Sequence, residues 1–480
     1  MDSPFVMIIF GATGDLMKNK LLPALFKLYQ EKKFEEKFYI VGFARRPFTN
    51  QEFRRDAANH LRSINLYYRS FESFKNNLYY QQGDFNDPRG YKELIKTLKI
   101  FDRKHRECIT RFIYLATPPN YYEGILENLR KTKLSEGCGR KNNKWTRIIV
   151  EKPFGKDLDT AIRLDKKLSH LFEEKQIFRV DHYLGKETVQ NMAAFRFANG
   201  VFEPLWNKNH IDHIQITFSE EKGIGNRGKF FDGVGLLRDV GQNHLMQLIA
   251  AVAMEQPKSF TKEYLRNERA KVIKAIRPIE EKDVSKFVVR GQYKGYIREK
   301  DVPKDSNTES FVAMKFFIDT PRLQGIPFYV RAGKKMPENI VEISIVFIQT
   351  CHVLFREYGC PEIDNVLTIR IQPDEGIRLR LIAKKPGTKL ALQTVSMHFT
   401  YEEAFKTKGV EAYEKILVDI FAGDQTLFNR SDELESSWKF ITKILNGWKN
   451  GDSKLTIYQE GTWGPKEALT LIEKDGRGWL

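Results

Sequence analysis

Residues 5–29 read FVMIIFGATGDLMKNKLLPALFKLY. The apolar run Phe5–Phe10 meets Gly11 at once, Gly14 follows, and the stretch Lys20–Tyr29 has a helical pattern. A strand, a tight glycine turn and a helix N-terminus in that order make an anion site, because the first backbone N–H groups of a helix lack intrahelical partners and its dipole is positive there. Gly11 and Gly14 allow close backbone approach to a phosphate. The G-x-G-x-x-G spacing is not met, since the third glycine is absent. The reading as a dinucleotide-binding turn therefore rests on its place directly after the first strand.

The next strand indicates which dinucleotide. NAD-binding chains usually end it with Asp or Glu for the ribose hydroxyls. Here it ends Gly42-Phe43-Ala44-Arg45-Arg46-Pro47. Two arginines suit the 2′-phosphate of NADP by charge and by fork geometry, the alternative being two solvated surface arginines.

Further outward, strand candidates at Phe5–Phe10, Phe38–Phe43, Leu78–Gln82, Phe112–Ala116, Ile148–Val150 and Ile177–Val180 alternate with helical stretches. Thr49 and Glu52 form a capping box opening Asn50–Arg62. This alternation predicts a parallel, doubly wound sheet. From about residue 211 the pattern changes to longer strands, Ile211–Phe218, Ser310–Ile318, Phe328–Arg331, Val341–Phe347, Val366–Ile371 and Ile377–Ala383, with few helices between them. That predicts an antiparallel sheet. Helical patterns return at Leu236–Met254, Tyr401–Phe421 and Asp432–Leu445. The expected fold is an α/β Rossmann-type N-terminal domain, residues 1–185, and a larger α+β C-terminal domain, residues 186–480, with a mostly antiparallel sheet.

Composition agrees with a globular chain: 480 residues, 41% hydrophobic and 29% charged, which excludes a mostly disordered protein. No run approaches the ~20 apolar residues of a membrane span, and no basic segment precedes a long apolar run at the N-terminus. Cys108, Cys138, Cys351 and Cys360 include no C-x-x-C, so reduced thiols in a cytoplasmic protein are expected. Cys351-His352 lacks two further spaced ligands, and no metal is expected. The net charge of +17 attracts anions, among them nucleic acid and phosphorylated small molecules. No nucleic-acid motif accompanies it, so neither nucleic acid nor a membrane is an expected partner.

Three further segments concentrate polar residues. Glu151-Lys152-Pro153-Phe154-Gly155 follows a predicted parallel strand at the carboxyl end of the sheet, where open α/β sheets bind ligands, and its Lys-Pro bond invites a cis peptide. Arg179–Lys186 follows another strand, and His182, Tyr183 and Lys186 offer three donors to one anion, such as a phosphate monoester. Arg238–Leu245 places Asp239 and His244 five residues apart. In a regular helix that is about 500° of rotation, so they leave one face unless the helix is distorted. A carboxylate near a histidine fixes its tautomer and raises its basicity, as a general base requires.

Together the strings GATGDLMKNKLLPAL, EKPFGKDL, RVDHYLGKE, GLLRDVGQNHLMQL, YVRAGKKM, IQPDEG, KKPG, LFNRSDEL and GTWGP resemble the glucose-6-phosphate dehydrogenase family, in its order and over nearly the whole chain. The resemblance implies that His244 is the base that takes the proton from the sugar C1 hydroxyl, and that Asp239 orients it or contacts the sugar. His182, Tyr183 and Lys186 would bind the sugar phosphate, and Glu220, Lys334 and Gln372 would contact substrate. Lys152 would lie between substrate and cofactor. Gly11, Thr13, Gly14, Asp15, Leu16, Lys20, Arg45, Tyr122 and, more weakly, Asp84 and Phe85 would contact NADP. A homodimer or dimer of dimers through the large sheet is implied as well.

Two departures stand out. Asn339 occupies a position, five beyond Lys334, where the family commonly has a basic residue near the substrate phosphate. Ile340 and Ser344 replace basic positions of the second, structural NADP site of animal members, although Arg370, Lys384 and Lys385 remain, and that site is expected to be absent. Oxidation of free glucose is the near alternative, opposed by the anion cluster, because free glucose leaves those donors unpaired. A catalytically dead regulatory homologue is opposed by the joint presence of His244, Asp239, Lys152 and Lys186.

Overall fold

Phe5–Phe10 forms β1, an interior strand of a seven-stranded sheet, in a computed structural model that describes residues 3–34, 37–137, 146–361, 365–406, 409–451 and 453–480. All six of its side chains are buried, as expected for a strand covered on both faces. β2 (Phe38–Ala44), β3 (Leu78–Gln82), β4 (Thr110–Leu115), β5 (Arg147–Glu151) and β6 (Ile177–Val180) join it in parallel, in the order β6-β5-β4-β1-β2-β3. The order reverses at β1, so the crevice for a ligand opens beyond the carboxyl ends of β1 and β4. The helix after β2 starts with the Thr49–Glu52 capping box read from the sequence, and Asp87 caps the helix Pro88–His105.

The first compact unit comprises residues 1–155, 159–185 and 410–431. Its last segment lies beyond a single cut at residue 185. It belongs here because the helix Ala412–Ala422 finds its apolar partners here: Phe421 packs 4.9 Å from Phe5 and 5.2 Å from Phe112, ring to ring. Arg147 donates to the Ile420 and Phe421 carbonyls at 2.6 and 2.9 Å, and Phe428–Asn429 adds a short antiparallel strand beside β6.

The second unit holds residues 156–158, 186–409 and 432–480. Its strands are β7 (Ile211–Glu220), β8 (Val288–Tyr293), β9 (Phe311–Phe317), β10 (Pro327–Lys334), β11 (Ile340–Phe347), β12 (Val366–Gln372), β13 (Gly376–Lys384) and β14 (Leu392–Thr400). With Leu455–Tyr458 at one edge they form a nine-stranded sheet, antiparallel except where β10 meets β7 and Leu455–Tyr458 meets β8.

The sequence reading differs from the structure elsewhere along the chain as well. Leu236–Met254 is helical, but Leu237–Leu245 is π-helical, with an i→i+5 register, before a regular helix at Met246–Ala253. Tyr401–Phe421 splits into Tyr401–Phe405 and Ala412–Ala422, and Lys406 stops the first helix in a left-handed conformation at φ 54°. Cys351 and Cys360 are not reduced thiols. They form a disulfide across the β11–β12 connection, where the chain brings their Cα atoms within 5.9 Å. No described cysteine is a free thiol, and Cys138 lies outside the described residues. Among the described residues no helix is long and apolar enough to cross a membrane.

Candidate functional site

The glycine turn is pressed against the neighbouring strand end. Gly11 has φ 90°, and a Cβ there would lie 2.3 Å from the Ala116 carbonyl oxygen, so only glycine fits. Its N–H donates to Phe43 at 2.9 Å, while its carbonyl accepts the Gly14 N–H at 2.9 Å. The helix then starts at Asp15 and passes through a π-helical turn, Met17–Leu21, that carries Lys20. Gly14, Asp15 and Lys20 are exposed, while Thr13 and Leu16 are partly covered.

Arg45 lies exposed just past β2, with its guanidinium 5.1 Å over the Tyr121 ring and 5.6 Å from the Phe85 ring centre. It also donates to the Tyr121 hydroxyl at 3.0 Å. Phe85 is fixed from below, because its carbonyl accepts from the Tyr91 hydroxyl at 2.7 Å and from the Asn128 amide at 3.1 Å. Asp84 accepts the Asn86 N–H at 2.8 Å and, with Arg45, Gln82 and Arg89, lines a groove of 720 Å³. Tyr122 is fully buried, and its hydroxyl donates to the Glu151 carbonyl at 2.9 Å. Tyr121, the residue that faces Arg45, was not singled out in the sequence; its signal was the second aromatic of Tyr121-Tyr122 after Pro118-Pro119. The residues present fit a dinucleotide: a turn that a Cβ would fill, a helix N-terminus for the pyrophosphate, and a cation with two rings beside a nucleoside-sized groove.

The ends of β5 and β6 carry the next group. Lys152–Pro153 is cis. Glu151 is buried and accepts from the Tyr114 hydroxyl at 2.6 Å and the Tyr413 hydroxyl at 3.1 Å. Burial pushes its carboxyl up to about 7, against the pull of those two bonds and of Lys152, and Asp181 adds to the rise. Tyr413 stacks on His182 with ring centres 6.2 Å apart and planes at 18°, and Tyr183 flanks His182 at 5.0 Å. Asp181 is wholly buried and accepts the Tyr183 N–H at 3.1 Å. Arg179 holds Glu174 and Asp165 at 2.9 and 2.6 Å, a structural use of its charge.

Glu151 has a consequence for stability. Its native pKa of about 7 exceeds its ordinary value of 4.5. Between those values the native state binds more protons than the unfolded state, so stability falls as pH rises, and the loss is complete above the native pKa. Across that window the wild type is expected to lose on the order of 3 kcal/mol relative to Glu151→Gln. Urea unfolding of both proteins at several pH values measures the difference; parallel stability curves would contradict it.

In the second unit, β7 and β10 end side by side, with Glu220 opposite Lys334 in parallel register. Lys334 donates to the Glu220 carboxylate. Its own N–H donates to the Ser310 carbonyl at 3.0 Å, and its carbonyl accepts from the Tyr458 hydroxyl at 2.5 Å. Asn339 ties the same edge rather than supplying a cation: its Oδ1 accepts the Glu221 N–H at 3.0 Å. Lys186 donates to Gln372 Oε1 at 2.6 Å, and the Gln372–Pro373 bond is cis.

Asp239 and His244 both lie in the π-helical segment Leu237–Leu245. The helix is distorted there by a change of helix type. His244 is 2% exposed, and its ring lies parallel to Phe218 of β7 at 6.2 Å, two residues before Glu220. Ser437 holds the turn from a neighbouring helix, donating to the Gln242 carbonyl at 2.7 Å. The second unit therefore links His244 through Phe218 to the strand that presents Glu220, while Lys186 and Gln372 form a separate pair.

Residues 8–191 match the family model "Glucose-6-phosphate dehydrogenase, NAD binding domain", and residues 193–480 match "Glucose-6-phosphate dehydrogenase, C-terminal domain". A glucose-6-phosphate 1-dehydrogenase of Chlamydia pneumoniae is 42% identical over 99% of this chain and 96% of its own. One of Rhizobium meliloti (strain 1021) is 42% identical over 99% of this chain and 97% of its own. A solved glucose-6-phosphate dehydrogenase in complex with its substrate glucose-6-phosphate superposes with a TM-score of 0.90 at 36% identity, covering 100% of this chain and 99% of that one.

Proposed function

Because the chain belongs to the glucose-6-phosphate dehydrogenase family, we propose that it oxidises D-glucose 6-phosphate at C1 to 6-phospho-D-glucono-1,5-lactone with NADP, in the first oxidative step of the pentose phosphate pathway. The observation that supports the mechanism is the position of His244, 2% exposed and stacked beside Phe218 of the strand that ends at Glu220. His244 Nε2 or Nδ1 takes the proton of the C1 hydroxyl, and Asp239 orients that imidazole or contacts the sugar. Burial beside Phe218 keeps bulk water from competing for the base. Bound NADP supplies the hydride acceptor, C4 of its nicotinamide.

His182, Tyr183 and Lys186 bind the sugar phosphate; Glu220, Lys334 and Gln372 hold the sugar. Lys152 serves both ligands. The glycine turn with Thr13, Asp15, Leu16 and Lys20 receives the pyrophosphate side, and Arg45, Asp84, Phe85 and Tyr122 the adenosine side. The first unit is thus the NADP-binding domain, and the second the substrate and dimerisation domain of a cytoplasmic homodimer or dimer of dimers. A second, structural NADP site is not part of this reading, because Ile340 is buried, Ser344 pairs with Thr368 at 3.2 Å, and Glu342 engages Arg370 at 2.9 Å.

Glucose 6-phosphate deuterated at C1 tests the chemistry. Deuterium is expected at C4 of the reduced nicotinamide, and its release to solvent would contradict direct transfer. Arg45→Ala is expected to erode the preference for NADP over NAD by about 1.5–3 kcal/mol, the scale of a hydrogen bond to a charged group. The ratio of kcat/KM values for the two cofactors measures it, and an unchanged ratio would reject the 2′-phosphate assignment.

A further inference from the structure

A π-helical stretch is rare and short-lived on its own, and its wider turns leave an additional N–H at the start without a partner. Something must hold Leu237–Leu245 in that register. The residues just before it cannot do so with their own side chains. Gly233 and Gly235 have positive φ and no side-chain acceptor, and Leu236, at the cap position, makes no side-chain capping bond. The acceptors come instead from a segment far along the chain, Thr308-Glu309, just ahead of β9.

Three bonds run in series along that contact. Thr308 Oγ1 accepts the Gly233 N–H at 2.9 Å, the Glu309 carbonyl accepts the Leu236 N–H at 3.0 Å, and the Glu309 carboxylate accepts the Leu237 N–H at 3.0 Å. Leu237 is the first residue of the π-helical segment, so this carboxylate is its N-terminal cap, supplied in trans. Glu309 is 4% exposed. A buried carboxylate is costly unless hydrogen-bonded, so its place is fixed by the donors it faces. The space is tight as well: a Cβ at Gly235 would lie 2.2 Å from Glu309 Oε1. The next residue, Ser310, accepts the Lys334 N–H, so the same short segment anchors both the His244 turn and the strand end that pairs with Glu220.

We propose that Glu309 is a positioning residue for this reaction: by capping Leu237 it holds the i→i+5 register of the segment that carries His244. The proposal rests on the assignment of His244 as the base. Without the cap the segment relaxes toward an α-helix, whose turn of about 100° per residue rotates His244 away from its place beside Phe218. Glu309 itself touches neither substrate nor cofactor in this account.

The test compares Glu309→Gln, Glu309→Asp and Glu309→Ala in the full-length enzyme, with His244→Asn alongside. Glutamine keeps an acceptor oxygen at the same reach and is expected to retain kcat within about twofold. Aspartate is one methylene short of Leu237, and alanine has no acceptor. Both are expected to lose roughly 10–10²-fold in kcat, the scale of a misplaced catalytic group, with KM for glucose 6-phosphate and for NADP nearly unchanged. A purely structural role would lower melting temperature without separating kcat from KM. If alanine prevents folding, the aspartate and glutamine pair decides. Wild-type kcat in Glu309→Asp, or equal losses in the Gln and Asp variants, would overturn the proposal. Full activity of His244→Asn would instead overturn the assignment of the base.

Discussion

His244→Asn is expected to lower kcat by roughly 10²–10⁴-fold, the contribution of a positioned general base, while NADP binding persists. Asparagine is polar and smaller, so it neither buries a charge nor overfills the space beside Phe218. It has no basic nitrogen, so the C1 hydroxyl must lose its proton to water in a site that His244, 2% exposed, largely closes to solvent. Cofactor titration by fluorescence and steady-state turnover separate the two effects. Turnover near that of the wild type would remove His244 from the reaction. Loss of both turnover and NADP binding would show that the substitution had damaged the fold.

Lys186→Ala is expected to raise KM for glucose 6-phosphate by roughly 10–10²-fold and to leave KM for NADP in place. A hydrogen bond to a charged group contributes about 1.5–3 kcal/mol, and the phosphate carries the charge that an ammonium matches. In the free protein Lys186 donates to Gln372 at 2.6 Å, so its ammonium is held at a fixed place rather than sampling solvent. Removing it releases Gln372 too, and Gln372→Ala combined with Lys186→Ala is expected to be less than additive. An unchanged KM for glucose 6-phosphate would move the phosphate elsewhere.

The first half of the fold was legible because its signals are local. Each parallel strand is a short apolar run bounded by turn residues, and both helix caps at Thr49 and Asp87 lie next to the segments they start. The second sheet was harder. β14 is largely exposed, so it has no apolar face to reveal it, and β8 follows a helix with little alternation. The helix Ala412–Ala422 reads as part of the C-terminal half, because sequence order says nothing about whose core its Phe421 will fill. In the site, the motif strings carried the candidate residues. What they could not carry was the support: Tyr121 beside Arg45, Tyr114 and Tyr413 on Glu151, and Glu309 capping a turn 72 residues away. Those partners meet only through tertiary packing.

The central claim is tested most directly by following reduced-cofactor absorbance with glucose 6-phosphate or glucose, each paired with NADP or NAD. Fast turnover with the phosphorylated sugar alone, and preferentially with NADP, is the predicted result. Comparable turnover with free glucose would contradict the phosphate site at His182, Tyr183 and Lys186, and silence in all four mixtures with NADP still bound would contradict the enzyme assignment itself.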